Sequence, residues 1–70
     1  SGEQSRIEMG HIYVTHAPQG TSVRVYTTDG RIVATERVAD NGTADIDLTT
    51  LGKGIYIVKS ARSSIKIINK

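Results

Sequence analysis

The stretch from Ser22 to Val38 constrains the fold more than any other part of the chain. Between Ser22 and Thr28 the residues alternate, with Val23, Val25 and Thr27 on one face and Arg24, Tyr26 and Thr28 on the other. A period of two suits a half-buried strand and cannot build an apolar stripe along a helix. Asp29-Gly30 follows at once, a pair that tolerates positive φ at both central positions of a tight hairpin turn. Arg31 to about Val38 then reads as the returning strand.

The same pattern continues in both directions. Asp40-Asn41-Gly42 is a second turn of this kind, and Thr43 to Leu48 alternates after it, with Ala44, Ile46 and Leu48 inward and Asp45 and Asp47 outward. Upstream, Arg6 to Met9 and His11 to Thr15 are strand material parted by Gly10, where a bulge, a bend or a tight link is expected. Ala17-Pro18-Gln19-Gly20 is turn chemistry. Thr49 to Gly54 is a connection anchored by Leu51, with no helix beyond a single turn near Thr49 to Leu51. Ile55 to Ser60 is apolar on both faces at its start, the mark of a central strand covered on each side. Arg62-Ser63-Ser64 turns the chain, and Ile65 to Asn69 forms the last strand.

Tight turns between strands at this spacing predict an all-β fold, a small antiparallel Ig-like β-sandwich of about seven short strands. Residues 6–70 form the domain, and residues 1–5 read as a linker or a cloning remnant. Composition agrees: nine Ile and six Val stand against two Leu and one Met, with eight Thr besides. Such β-branched side chains suit a pleated surface. With no Phe, Trp or Cys, the core is aliphatic and unaided by disulfides. Val23, Val25, Ala44, Ile46, Leu48, Leu51, Tyr56, Val58, Ile65 and Ile67 are expected to be mainly buried. A chain of 70 residues buries only ~60% of the surface its unfolded form exposes, so packing faults are felt strongly.

Catalytic groupings are not evident. His11 and His16 are five residues apart, which puts them on opposite faces of a regular strand and disfavours a metal pair. Asp45 and Asp47 share a face but alternate with core residues, so a solvated face is the better reading than a hydrolytic pair. Asp40-Asn41-Gly42 lacks the full ligand series of a calcium loop and is read as a turn. Gly52-Lys53-Gly54 precedes a strand and does not open a helix, so it is not a phosphate loop. No Ser or Thr has a neighbouring His-carboxylate arrangement to activate it. No basic patch is interleaved with stacking aromatics, which weighs against nucleic acid. No cofactor and no enzyme activity are expected of this chain.

Charge is distributed unevenly. After Asp47, the basic residues Lys53, Lys59, Arg62, Lys66 and Lys70 meet no acidic residue. That suits either a cationic surface for an acidic partner or charged edge strands that resist aggregation. No apolar stretch is long enough to span a bilayer as a helix. No signal-peptide pattern opens the sequence, so an export signal, if used, is expected upstream.

From Val23 onward the order of motifs resembles the type A C-terminal sorting domain of the type IX secretion system. The first match is Val23-Arg24-Val25-Tyr26-Thr27-Thr28-Asp29-Gly30-Arg31-Ile32-Val33, an alternating strand, turn and basic-apolar return. The second is Ile46-Asp47-Leu48-Thr49-Thr50-Leu51, an apolar strand ending in a Leu-anchored turn. The third is Gly54-Ile55-Tyr56-Ile57-Val58-Lys59, followed by the Lys-bearing strand Lys66-Ile67-Ile68-Asn69-Lys70. Where the family often has Pro-Ala-Gly before the tyrosine, this chain has Gly52-Lys53-Gly54.

The resemblance implies a secretion signal at the end of a larger cargo protein, itself often an enzyme such as a protease. It implies passage through the periplasm and across the outer membrane of a Gram-negative bacterium, with the type IX translocon and a surface signal peptidase as partners. It also implies that the domain is usually cleaved at the cell surface. The candidate recognition residues are Gly54, Tyr56, Val58, Lys59, Lys66 and Lys70, with Asp29, Gly30, Asn41 and Gly42 defining turns. Tyr56 and Val58 also suit a purely structural role. The alternatives are a stand-alone Ig-like interaction or carbohydrate-binding module of a surface protein, and an uncleaved sorting-type domain in a component of the secretion machinery.

Overall fold

A computed structural model of the chain describes residues 2–70. Seven strands follow one another: β1 (Gln4–Glu8), β2 (His11–Thr15), β3 (Ser22–Thr27), β4 (Ile32–Arg37), β5 (Ala44–Asp47), β6 (Gly54–Lys59) and β7 (Ser64–Asn69). They form two antiparallel sheets, one ordered β1-β2-β5 and the other β4-β3-β6-β7. The chain is thus the two-layer sandwich that the alternating pattern predicts, with its core between the sheets.

Inward positions of both sheets meet in that core. Ile12, Val14, Ala44 and Ile46 come from the three-stranded sheet, and Val23, Val25, Tyr56, Val58 and Ile67 from the four-stranded one. Leu48, Ala17 and Val38 close the gaps from the connections. Leu51 and Ile65, expected among the buried residues, are only partly buried and pack against this cluster from its margin. Leu51 sits in a surface turn and Ile65 on the outermost strand of its sheet, so neither is covered from all sides.

The turns show what alternation alone leaves open. Gly10 belongs to a tight link: Glu8 pairs with His11, leaving Met9-Gly10 as a two-residue loop with φ of 52° and 77°. Both angles are positive, as a primed hairpin turn requires. A Cβ at Gly10 would also lie 2.7 Å from the Thr49 side chain.

Asp29-Gly30 is not the centre of a two-residue turn. The Gly30 N–H donates to Thr27 O at 3.0 Å and the Thr27 N–H to Arg31 O at 2.8 Å. Of that pair only Gly30 has positive φ. The loop therefore has three residues, a type I turn closed by a left-handed glycine. Thr27 selects this form, because its hydroxyl accepts the Arg31 N–H at 3.1 Å and donates to the Asp29 carboxylate.

Two further differences shape the surface. Asp40-Asn41-Gly42 does not join neighbours of one sheet; it carries the chain from β4 across to β5 in the other. The Ala17 N–H donates to Gly42 O at 3.0 Å, which ties that crossing to the end of β2. Secondly, Val25 pairs with Ala34 but Tyr26 with Ile32, so Val33 is an extra residue in β4. This bulge turns Ile32 to the outer face, where it is half exposed.

Candidate functional site

The candidate recognition residues lie on the hairpin of β6 and β7 and split by face. Tyr56 and Val58 point inward and are buried; Lys59 and Lys66 point outward and are exposed. Gly54, exposed with φ of 146°, opens β6 opposite Asn69, and Lys70 follows β7, also exposed. The turn residues Asp29, Gly30, Asn41 and Gly42 lie in the two loops described above, away from this hairpin in sequence. In the folded domain Tyr56 and Val58 belong to the core, whereas the three lysines are exposed.

One end of the hairpin is held by a carbonyl group. The Tyr56 hydroxyl donates to Gly52 O at 2.7 Å. The Asn69 amide Nδ2 donates to the same oxygen at 3.1 Å, and to Leu48 O at 3.1 Å and Leu51 O at 3.2 Å. The last strand is thereby stitched to the turn between β5 and β6. Sequence reasoning passed over Asn69. Its signal was present, since Ile65, Ile67 and Asn69 share the inward face, and an amide in such a series is kept only where it finds partners.

The hairpin's other end meets the start of the chain. There the Ser63 hydroxyl donates to the Glu3 carboxylate at 3.0 Å, and the Ser60 hydroxyl does so too. Residue 3 and residue 69 therefore lie at opposite poles of the sandwich.

Outward residues of the four-stranded sheet form rows through the ladder register. Ile32, Tyr26, Ile57 and Lys66 make one row across all four strands. Ile55 pairs with Ile68 beside it, and Arg24 with Lys59 on the other side. The Lys59 ammonium lies 5.4 Å from the centre of the Tyr26 ring. β6 is central in its sheet, as read from its apolar residues, but nothing among the described residues covers its outer side: Ile55 is 45% exposed and Ile68 63%.

The three-stranded sheet presents a different chemistry. Arg6, Tyr13 and Asp45 form one outward row, and Glu8, His11 and Asp47 the next. The Arg6 guanidinium sits 4.9 Å over Tyr13, whose ring stacks on His11. His11 Nδ1 lies 2.8 Å from Asp45 Oδ1, and its Nε2 lies 3.8 Å from Asp47 Oδ1. Asp45 and Asp47 occupy the solvated face expected of them, though paired with a histidine that sequence reasoning had not linked to them. His16 lies beyond β2 with φ of 58° and bonds to Thr15 instead. Among the described residues no group of three or more His, Cys, Asp or Glu is placed to hold a metal.

The bond to Asp45 raises the pKa of His11 above its ordinary 6.5; partial desolvation opposes the shift, and the charges of Asp45 and Asp47 add to it. The protonated ring favours the folded state. That contribution is complete below the unfolded value and is lost as pH rises through the folded one. A ring-proton NMR titration of His11 should therefore give a midpoint above 6.5, and Asp45→Asn should lower it. An equal or lower midpoint in the unaltered domain would mean that the ring does not hold this bond in solution.

In comparison with known families, the model described as the secretion system C-terminal sorting domain matches residues 8–70. The match takes in β2 and the turn after it, which lie before the motifs at Val23 and beyond. No curated protein and no solved structure shows significant similarity to the chain.

Proposed function

Since this chain belongs to the family of C-terminal sorting domains of type IX secretion, we propose that it is a folded address label for a larger cargo in the same chain. The label brings the cargo from the periplasm to the type IX translocon, which carries it across the outer membrane. At the cell surface a signal peptidase then removes the label. The domain contributes no catalysis; any enzymatic activity belongs to the cargo.

The observation that carries this reading is the extent of the match, which runs through six of the seven strands and so through nearly the whole folded unit. A recognition event fits the rest of the description. A sandwich can be read through its outer faces, its loops or an edge strand. Of the candidate recognition residues, Gly54, Lys59, Lys66 and Lys70 are exposed, and the three lysines offer side chains that a receptor can touch directly.

The test is transfer of the label. Residues 6–70, fused behind an unrelated periplasmic protein with its own export signal, are expected to place that protein on the surface of a type IX-competent strain. The same fusion should stay in the periplasm of a strain lacking the translocon. Retention in the competent strain, with the domain shown to be folded by protease resistance, would rule the reading out.

A further inference from the structure

The outer face of the four-stranded sheet combines two features that a solvated face does not need. Its centre is apolar: Tyr26, Ile32, Ile55, Ile57 and Ile68 adjoin one another through the ladder register. Its ionised flanks are of one sign, with Arg24 and Lys59 on one side and Lys66 closing the central row. No Asp or Glu occupies an outward register position on any of the four strands. With strands about 4.8 Å apart and outward side-chain rows about 7 Å apart, these five residues cover about 170 Å² of the sheet. That is about a fifth of one side of a standard interface, the share of an apolar centre ringed by polar and charged groups.

We propose that this open face is where the domain is read, and that its occupant is a protein surface carrying carboxylates around an apolar centre. The inference rests on the sorting role proposed above. Charge decides the chemistry of the partner, because a cover bringing cations to Arg24, Lys59 and Lys66 would be repelled. A second copy of this chain is a poor cover. Its acidic face offers Glu8, Asp45 and Asp47, but Arg6 lies 3.5 Å from the first and His11 or Thr49 engages the others. A lipid surface is a poor cover as well, since the isoleucines are spread over a flat sheet face and do not project from a loop, and Tyr26 is the one interfacial aromatic on that face, with no Trp in the chain. Tyr26, with the Lys59 ammonium over its ring, has the residue type and placement of an interface anchor.

The experiment uses the cargo fusion in the type IX-competent strain. A photo-crosslinking residue placed at Ile68 is expected to give an adduct with a host protein, and the same residue placed at Tyr13, on the other sheet, is not. Arg24→Glu with Lys59→Glu should abolish that adduct and lower surface cargo at least tenfold. The melting temperature should move by no more than about 4 °C, as exposed charge changes usually do. Ile57→Thr with Ile68→Thr, which keeps β-branched residues in the strands, should lower secretion in the same way and decides the matter if the charge variant fails to fold. Adducts only with lipid or with another copy of the chain would overturn the proposal. So would folded face variants whose cargo is secreted as well as the unaltered fusion. Retention of the unaltered fusion would instead reject the sorting role itself, and this inference with it.

Discussion

Replacing Ile12 with alanine should strip the domain of about half its stability. Ile12 is fully buried at the centre of its sheet, between Ile7 on β1 and Ile46 on β5. Truncating such a side chain costs about 2–5 kcal/mol, because the transfer free energy is lost and a cavity remains. A domain of this length is held by only about 4–10 kcal/mol at the usual stability per residue. One substitution thus removes a large part of the total. Ile68→Ala deletes the same atoms from a side chain that is 63% exposed, and is expected to change stability by no more than about 0.5 kcal/mol. Urea unfolding of the two variants beside the unaltered domain checks both. Similar losses at the two positions would mean that the core is not where the fold places it.

Asn69→Asp should be nearly as damaging, for an electrostatic reason. The amide shares its two hydrogens among Leu48 O, Leu51 O and Gly52 O. A carboxylate there offers no hydrogen and sets a negative charge against three carbonyl oxygens. Partly buried groups left unsatisfied in this way cost about 1–3 kcal/mol, and charged ones more. The expected loss at neutral pH is about 3 kcal/mol. The introduced acid should have a raised pKa in the folded state, since only its protonated form can donate. The variant's deficit should therefore shrink as pH falls through that value, whereas the deficit of Asn69→Ala should lack this component. Denaturant midpoints measured across pH for both variants decide it. An aspartate variant as stable as the original at neutral pH would show that Asn69 does not hold the turn.

The sandwich was legible because alternation is a local signal with a global meaning. Val23, Val25, Ala44, Ile46, Leu48, Tyr56, Val58 and Ile67 could be placed in the core from spacing alone, and they are there. Ile12 and Val14 were not singled out, although they alternate with His11, Tyr13 and Thr15, because Tyr13 blurs the contrast between the two faces. Turn positions were legible and turn types were not. Asp29-Gly30 serves a two-residue or a three-residue loop equally well, and the Thr27 hydroxyl makes the choice. Asp40-Asn41-Gly42 looks the same whether it joins strands of one sheet or carries the chain across to another, a choice settled by packing of the whole core.

The candidate site was harder to read for a related reason. Apolar residues at Ile55 and Ile57 say that a strand is flanked by something greasy, but not whether this chain provides the cover. Asn69 closes on carbonyl groups 17–21 residues earlier in the chain, a distance that no local pattern reports. Lys59 and Lys66 share the outer face through the pairing of β6 with β7, which places Ile57 opposite Lys66 and Lys59 opposite Ser64. Their charges could be counted in the sequence; that they border one apolar surface could not.

The two poles of the sandwich bear on how the domain responds to force. Both β1 and β7 run from the pole where Glu3 meets Ser63 toward the pole where Asn69 meets Leu48 and Gly52. A tension applied between residue 3 and residue 69 would therefore draw each outer strand along its own length. Ladder hydrogen bonds stand perpendicular to the strands, so they resist such a pull together instead of opening one after another. Five register pairs hold β1 and six hold β7. With residue 69 held, a tug at residue 3 along the strands would then meet a stiff link, while the same tug directed sideways would peel β1 from its sheet like a zip.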